Sequence, residues 1–167
     1  LMFQVQCLQS TKKTTTEFYS KYSIGPFLKG QSTTIGNALR RVLLSNLQGL
    51  AIIGVRIAGI NHEFSTIPNV KEDVVDILLN LKQIILKAPL KYTDDLILAH
   101  LDIKETGIII AENIQLPENI ALVDSSQYIA TLTNEGELKM EFLIAQGQNY
   151  ITSGKANYNL PEGFLAV

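Results

Sequence analysis

Two pairs of adjacent residues in this 167-residue sequence have side chains that could act in catalysis or in binding. The first, His62 and Glu63, joins an imidazole to a carboxylate, the groups used in general acid–base catalysis. On an extended segment, however, adjacent side chains point to opposite faces, so the two would not share a proton easily. A structural or interface loop is therefore the alternative to catalysis for this segment, NHEFSTIP.

The second pair, Arg40 and Arg41, would lie about 100° apart around a helix. Arginine is enriched in interface hot spots and can fork onto a carboxylate, although many surface arginines are merely solvated. Asn37, one turn before Arg41, carries no charge that would neutralise either side chain. An interface role and a solvated surface both remain open from the residues alone.

Other catalytic and metal-binding signatures are missing from the sequence. It has no nucleophile elbow, P-loop, GxGxxG, HExxH or EF-hand loop. His62 and His100 are too far apart in sequence to argue strongly for a metal site, and His100 is expected mid-strand. The single cysteine, Cys7, excludes an intrachain disulfide and a cysteine-cluster metal site. We therefore expect no catalytic residue, metal ion or cofactor.

The composition is that of a soluble globular protein in one domain or two small ones. Hydrophobic residues make up 46% and charged residues 18% of the chain, which argues against general disorder. No apolar run approaches the roughly 20 residues that span a bilayer. The net charge of −2 provides no overall basic field, so we expect no direct DNA contact and no membrane contact.

The Arg pair requires a helix, which we predict over residues 33–48. Thr33 or Thr34 would cap its N-terminus, and Gly49 would end it in a left-handed conformation. Apolar residues recur at three- and four-residue spacing along it, which predicts one apolar stripe beside the Arg pair. The members of this stripe are Ile35, Leu39, Val42, Leu43 and Leu47.

Around this helix the first half of the chain predicts strands and a second helix. Strands at 2–8 and 17–28 would pair through TKKTTT, and a buried strand interrupted by Arg56 would follow at 50–60. Helical periodicity from Val70 to Ile85 predicts a second helix with Glu72 and Asp73 in its first turn. Pro89 and the Asp94-Asp95 pair would close that unit.

In the second half of the chain apolar residues recur at every second position, which indicates a mainly β segment. The final FLAV reads as half a strand with no partner within this chain. A turn at Asn134-Glu135-Gly136 would join two of the strands. The predicted strands span 96–103, 106–112, 118–123, 127–133 and 137–145.

Several segments in order make a family resemblance visible. YSIGP, then GQ and TTIGNALRRVLLSNLQG, then VRIAGINHEFSTIPNVKEDVVDILLNLKQIILK, and later SQYIATLT and ELKMEFLIAQGQNY, resemble the N-terminal domain of the bacterial-type RNA polymerase α subunit in its cyanobacterial and plastid form. The resemblance implies an α+β, two-part architecture. Residues 1–50 would begin a dimerisation domain, 51–160 would form an inserted β-rich domain, and 161–167 would start the returning dimerisation segment.

The resemblance also implies partners and site residues. In the family, two α subunits dimerise and then recruit β and β′, which hold the catalytic centre for nucleotidyl transfer. The apolar stripe would form the dimer core. Residues matching the β-docking elements are Asn37, Arg40, Arg41, Leu44, His62, Glu63, Phe64, Ser65 and Thr66. Lys82, Gly147 and Tyr150 match possible further contacts with the large subunits.

The family pattern continues beyond the position matching Val167. The resemblance therefore implies that the rest of the dimerisation domain lies on the same or another polypeptide. It also implies the plastid stroma, or else the cytoplasm of a cyanobacterium. The alternatives are a truncated, non-assembling α-like fragment and a small enzyme using His62 and Glu63.

Overall fold

The computed structural model describes residues 3–88, 96–133, 136–149 and 160–167. Within these ranges the chain forms two α-helices and ten strands, which confirms the α+β class. It divides into two compact units, Leu1–Leu47 with Gln148–Tyr150 and Gln48–Gly147 with Ile151–Val167. Each unit is described by itself, and the domain boundaries expected at residues 50 and 160 stay predictions.

The first unit opens with the predicted strand pair. Strands β1 (Gln4–Lys12) and β2 (Phe18–Gly25) form an antiparallel hairpin joined by residues 13–17. Val5 faces Ile24 and Cys7 faces Tyr22, so period-two alternation places these side chains on one face. Strand β1 extends further toward the turn than the predicted 2–8, whereas β2 is shorter at both ends than the predicted 17–28.

Helix α1 spans Gln31–Ser45 and begins earlier than predicted. Its N-cap is Gly30 at φ 91°, a conformation that glycine adopts without a steric penalty, and no side chain caps it. The predicted caps Thr33 and Thr34 are therefore wrong, since both lie within the first turn. The predicted stop at Gly49 is wrong too, because Gly49 already belongs to the strand that follows.

The second unit holds two sheets and helix α2. Its elements in chain order are β3 (Gln48–Ile57), α2 (Val74–Leu81), β4 (Leu86–Lys87), β5 (Ile97–Ile103), β6 (Gly107–Ile110), a 3₁₀ turn (Ala111–Asn113), β7 (Ala121–Leu122), β8 (Tyr128–Leu132), β9 (Leu138–Gln148) and β10 (Leu165–Ala166). The larger sheet has the order β5-β9-β3-β4-β7, with β10 also pairing with β3, and β6 pairs with β8. The five predicted strands of the second half are confirmed, although β6 and β7 are shorter than expected.

Helix α2 is shorter than the predicted helix of residues 70–85 at both ends. Before it, Val70 bridges Leu132 and the Lys71 N–H donates to the Thr131 carbonyl at 3.0 Å, so the chain runs beside β8 instead of coiling. Glu72 consequently precedes the helix and does not lie in its first turn. After it, Leu86 enters β4, and the predicted stop signals Pro89, Asp94 and Asp95 lie outside the described residues.

The predicted lack of a partner for FLAV is wrong. Leu165 pairs with Val55, and the Val167 N–H donates to the Ile53 carbonyl at 3.2 Å. Phe164 lies over the Arg56 guanidinium, 5.1 Å from ring centre to Cζ, and Arg56 also forms an ion pair with Glu141. These contacts hold the final strand on the second unit. Asn134 and Glu135 of the predicted turn lie outside the described residues.

The core lies in the second unit. Helix α2 buries Val74, Ile77, Leu78 and Leu81. They join a cluster contributed by both sheets, in which Phe142, Leu101 and Ile129 are among the largest fully buried side chains. In contrast, none of the described residues 3–47 is buried. Burial of apolar surface therefore stabilises the second unit, at about 25 cal/mol per Å², far more than the first.

Hydrogen bonds to the Glu72 carboxylate fix the start of α2. The Glu72 carboxylate accepts hydrogen bonds from the Tyr128 hydroxyl and from the Thr131 N–H, the latter at 2.7 Å. Asn80, near the other end of α2, donates to the Ile129 carbonyl at 2.9 Å. Hydrogen bonds therefore join both ends of α2 to β8. They also fix the position at which the loop before α2 ends.

Replacing Glu72 with alanine should lower the free energy of unfolding by about 1–3 kcal/mol, because the half-buried Tyr128 hydroxyl and Thr131 N–H lose their acceptor. Urea unfolding followed by far-ultraviolet circular dichroism measures this. Glu112→Ala removes an exposed carboxylate and should change little. Equal effects of the two substitutions would contradict a stabilising role for the hydrogen bonds that Glu72 accepts.

Stability should also fall at alkaline pH. Burial, together with the hydrogen bond to Glu72 and its charge, raises the pKa of Tyr128 above its ordinary value of 10.0. The folded protein therefore favours the neutral phenol, and this contribution is full below pH 10.0 and is lost as pH rises through the raised pKa. The difference in unfolding free energy between the wild type and Tyr128→Phe should shrink above pH 10.0. A difference that stays constant would refute this assignment.

Candidate docking surfaces

The Arg edge of α1 is exposed. Arg40, Arg41 and Asn37 are all exposed, and Leu44 is 63% exposed. Within the described part of the chain, neither guanidinium forms an ion pair or a side-chain hydrogen bond. The four residues therefore share one helix, and both guanidinium groups are accessible to an external carboxylate or carbonyl.

The apolar stripe of α1 is uncovered as well. Its exposed fractions rise from 44% at Leu39 and 49% at Val42 to 60% at Leu43, and Ile35 alone is half-buried. Leu47, just past the helix, is 63% exposed. Contiguous exposed apolar side chains of this kind mark a protein–protein interaction site. Their assignment to a dimer core stays a prediction.

The C-terminal end of the loop that contains His62 and Glu63 is anchored to the start of α2. The Ser65 carbonyl accepts the Val74 N–H at 3.2 Å, and Thr66 bridges Asp73, so this end follows the start of α2. His62, Glu63 and Phe64 are exposed, with Phe64 at 81%. The second unit thus presents an aromatic side chain to solvent on a positioned loop.

The geometry of this loop does not favour the enzyme alternative. His62 Nδ1 lies 2.9 Å from Ser65 Oγ, and among the described residues the imidazole has no carboxylate partner. A serine–histidine pair needs a third group that orients the base. In the described ranges, no group of three or more His, Cys, Asp or Glu side chains could hold a metal ion.

Two of the remaining predicted contacts, Lys82 and Gly147, belong to the second unit. Lys82 is exposed just after α2, about 12 Å along the helix axis from its start. Gly147 lies near the end of β9, and Tyr150 is outside the described residues. Helix α1 belongs to the first unit, whereas the loop belongs to the second.

Sequence reasoning missed an apolar patch on the outer side of α2. Val75 is 37% and Leu79 is 56% exposed, one turn apart. The signal was present, because six of the eight residues in VVDILLNL are apolar and a helix can bury only part of its circumference in one sheet. This patch lies between the anchored loop and Lys82 along the chain.

Comparisons with known proteins show which family the chain resembles. The model of the RNA polymerase Rpb3/RpoA insert domain matches residues 55–167. The chain is 52% identical over 166 residues to the DNA-directed RNA polymerase subunit alpha of Emiliania huxleyi, covering 99% of this chain and 53% of that protein. The same subunits of Rhodomonas salina and Synechocystis are each 45% identical over 148 residues, 89% of this chain and 46% of theirs.

The chain spans about half the length of the curated relatives it matches. None of the helices in the described ranges is long and apolar enough to cross a membrane.

The exposed stripe should make the isolated chain self-associate and bind the dye 1-anilinonaphthalene-8-sulfonate. Leu39→Ser with Leu43→Ser should reduce both dye fluorescence and apparent mass in size-exclusion chromatography. These substitutions remove two exposed leucines that lie one helical turn apart. Leu96→Ser with Leu98→Ser is the matched control, because these leucines are 50% and 51% exposed in the second unit. A dye-silent monomer, or equal effects of both double variants, would contradict the prediction.

Proposed function

The chain belongs to the RNA polymerase Rpb3/RpoA insert-domain family, and on this basis we propose that it is a non-catalytic assembly subunit of a multisubunit DNA-directed RNA polymerase. Its relatives are named as the alpha subunit of that enzyme. Under this proposal the chain contributes docking surfaces, while nucleotidyl transfer takes place on other subunits.

The observation that carries the proposal is the contrast in burial between the two units. The second unit has a closed apolar core, whereas the described residues 3–47 bury nothing. A unit without a core gains too little from burial to offset the conformational entropy of ordering its chain. Its exposed apolar side chains therefore favour a role that is completed by contact with another polypeptide.

The first proposed contact is with a second copy of the α subunit. Helix α1 offers Leu39, Val42, Leu43 and Leu47 beside one another, and homodimer interfaces are typically rich in apolar side chains. A symmetric dimer uses the same patch on both partners, so one stripe is sufficient for the contact. Removal of this stripe from water would supply the burial that the first unit lacks.

The second proposed contact is with the large subunit β. Arg40 and Arg41 offer exposed guanidinium groups on α1 that form no ion pair with any described residue, and Phe64 offers an exposed ring on the loop before α2. Arginine and aromatic side chains are the residue types most often found in interface hot spots. Lys82 and Gly147 are proposed as further contacts with β or β′.

The proposed location is the plastid stroma, with the cytoplasm of a cyanobacterium as the alternative. The relatives include proteins of the alga Emiliania huxleyi and of the cyanobacterium Synechocystis. A truncated α-like fragment that no longer assembles is the second candidate, because an uncovered stripe would suit it equally. Co-purification separates the two: recovery of β and β′ with the tagged chain supports assembly.

Arg40→Ala with Arg41→Ala should weaken association with β by about 2 kcal/mol or more, roughly 30-fold, if either guanidinium is a hot spot. The measurement is the apparent affinity of the tagged chain for purified β in a pull-down titration. The substitutions should change the stability of the chain itself by less than about 0.5 kcal/mol, because both side chains are exposed.

Lys71→Ala with Lys87→Ala is the matched control, since it also removes two exposed positive charges from the chain. It should leave the affinity for β nearly unchanged. Unaltered recovery of β by the Arg40, Arg41 double variant would show that these side chains are merely solvated.

A further inference from the structure

Charge is distributed unevenly along the chain. Leu1–Leu47 carries six basic residues and one acidic residue, a net charge of +5, whereas Gln48–Val167 carries eight basic and 15 acidic residues, a net charge of −7. The overall value of −2 conceals this separation. A charge asymmetry of this size indicates a polyanionic partner for the basic part.

Half of the basic residues of the first unit lie at the end of its hairpin. Residues 11–21, TKKTTTEFYSK, form this hairpin tip, in which Lys12, Lys13 and Lys21 are all exposed. Glu17 is the one acidic residue of the tip, and its backbone carbonyl accepts the Lys13 N–H at 2.9 Å. The proposed assembly contacts on α1 make no use of this tip.

Two aromatic rings lie among these lysines. Phe18 is 71% and Tyr19 is 43% exposed. The Lys12 Nζ lies 5.6 Å from the Phe18 ring centre, and the Lys13 Nζ lies 5.8 Å from that of Tyr19. Since consecutive strand residues point to opposite faces, each face of the hairpin tip presents one ring with one ammonium group.

Stabilisation of the hairpin alone does not account for this arrangement. An exposed cation–π pair contributes only about 0.5–1 kcal/mol, and it would not require a third lysine or leave the rings so exposed. An acidic protein segment would pair with the lysines but has no need of ring faces. Bases stack on aromatic rings while lysines neutralise the phosphates between them, which uses both features.

We propose that the hairpin tip is a contact site for single-stranded nucleic acid. Lys12, Lys13 and Lys21 contact successive phosphates, and a base stacks on Phe18 or Tyr19. Nascent RNA and unpaired DNA share this chemistry. The contact goes beyond assembly, because nothing in it requires the stripe or the Arg edge of α1.

Fluorescence anisotropy of labelled oligo(dT) and oligo(U), titrated with the full chain at increasing salt, tests the phosphate contacts. The slope of log affinity against log salt changes by about 0.7 for each phosphate contact with a single strand. Lys12→Gln with Lys13→Gln should therefore reduce the slope by about 1.4. Lys71→Gln with Lys87→Gln should not. Equal slopes for both double variants, or no binding by the wild type, overturn the proposal.

Photo-crosslinking in the assembled polymerase tests the aromatic contact. A benzophenone amino acid in place of Tyr19 should give an adduct with nucleic acid in a transcribing complex. The same replacement at Val5 is the control, because Val5 is 67% exposed on the same hairpin but pairs with Ile24, near the end opposite the tip. Ribonuclease and deoxyribonuclease sensitivity of the adduct distinguishes RNA from DNA.

Adducts with protein only, or equal nucleic-acid adducts at both positions, overturn the proposal. Recovery of β by the Lys12, Lys13 variant is measured in parallel. Normal recovery with a lost adduct separates this site from assembly, whereas loss of β in the wild type would refute the proposed function and leave the anisotropy result unaffected.

Discussion

Uneven burial is the constraint on which the rest of this structure depends. The side chains of the second unit close around α2 and both of its sheets, and they need no partner to exclude water from their core. The described residues 3–47 do not achieve this, although they include a complete hairpin and a 15-residue helix. Regular secondary structure without a core is stable only when something else covers it. Under the proposed function, contact with another polypeptide would supply this cover for the first unit.

Local patterns in the sequence predicted much of the fold. The period-two runs in β5, β8 and β9 and the polar connection between β1 and β2 depend on neighbours in sequence, and these elements are confirmed. The start of α2 could not be predicted in this way. It depends on hydrogen bonds between Glu72 and β8, more than 50 residues later. The cap at Gly30 was missed because the hydroxyls of Thr33 and Thr34, three and four residues later, are also suitable capping groups.

The residues of the candidate docking surfaces could be chosen from the sequence, but their surroundings in the fold could not be predicted from it. The Arg pair and the stripe follow from helical spacing, and their exposure agrees with a docking role without testing it. The net charge of −2 is a sum over the chain, and it does not reveal that Leu1–Leu47 alone carries a net charge of +5. The outer patch of α2 was missed because periodicity identifies the face that is buried and says little about apolar residues left over on the other side.

The pairing of β10 with β3 has a consequence for modularity. The first strand of the second unit and its last described strand are antiparallel neighbours, so these two strands bring the beginning and the last described residues of the unit together. Val167 lies beside Ile53, five residues from Gln48 and thus about 17 Å along the strand. A unit whose first and last strands are neighbours can be removed from one chain or inserted into another. A short connection in the host chain can then span the gap that it leaves.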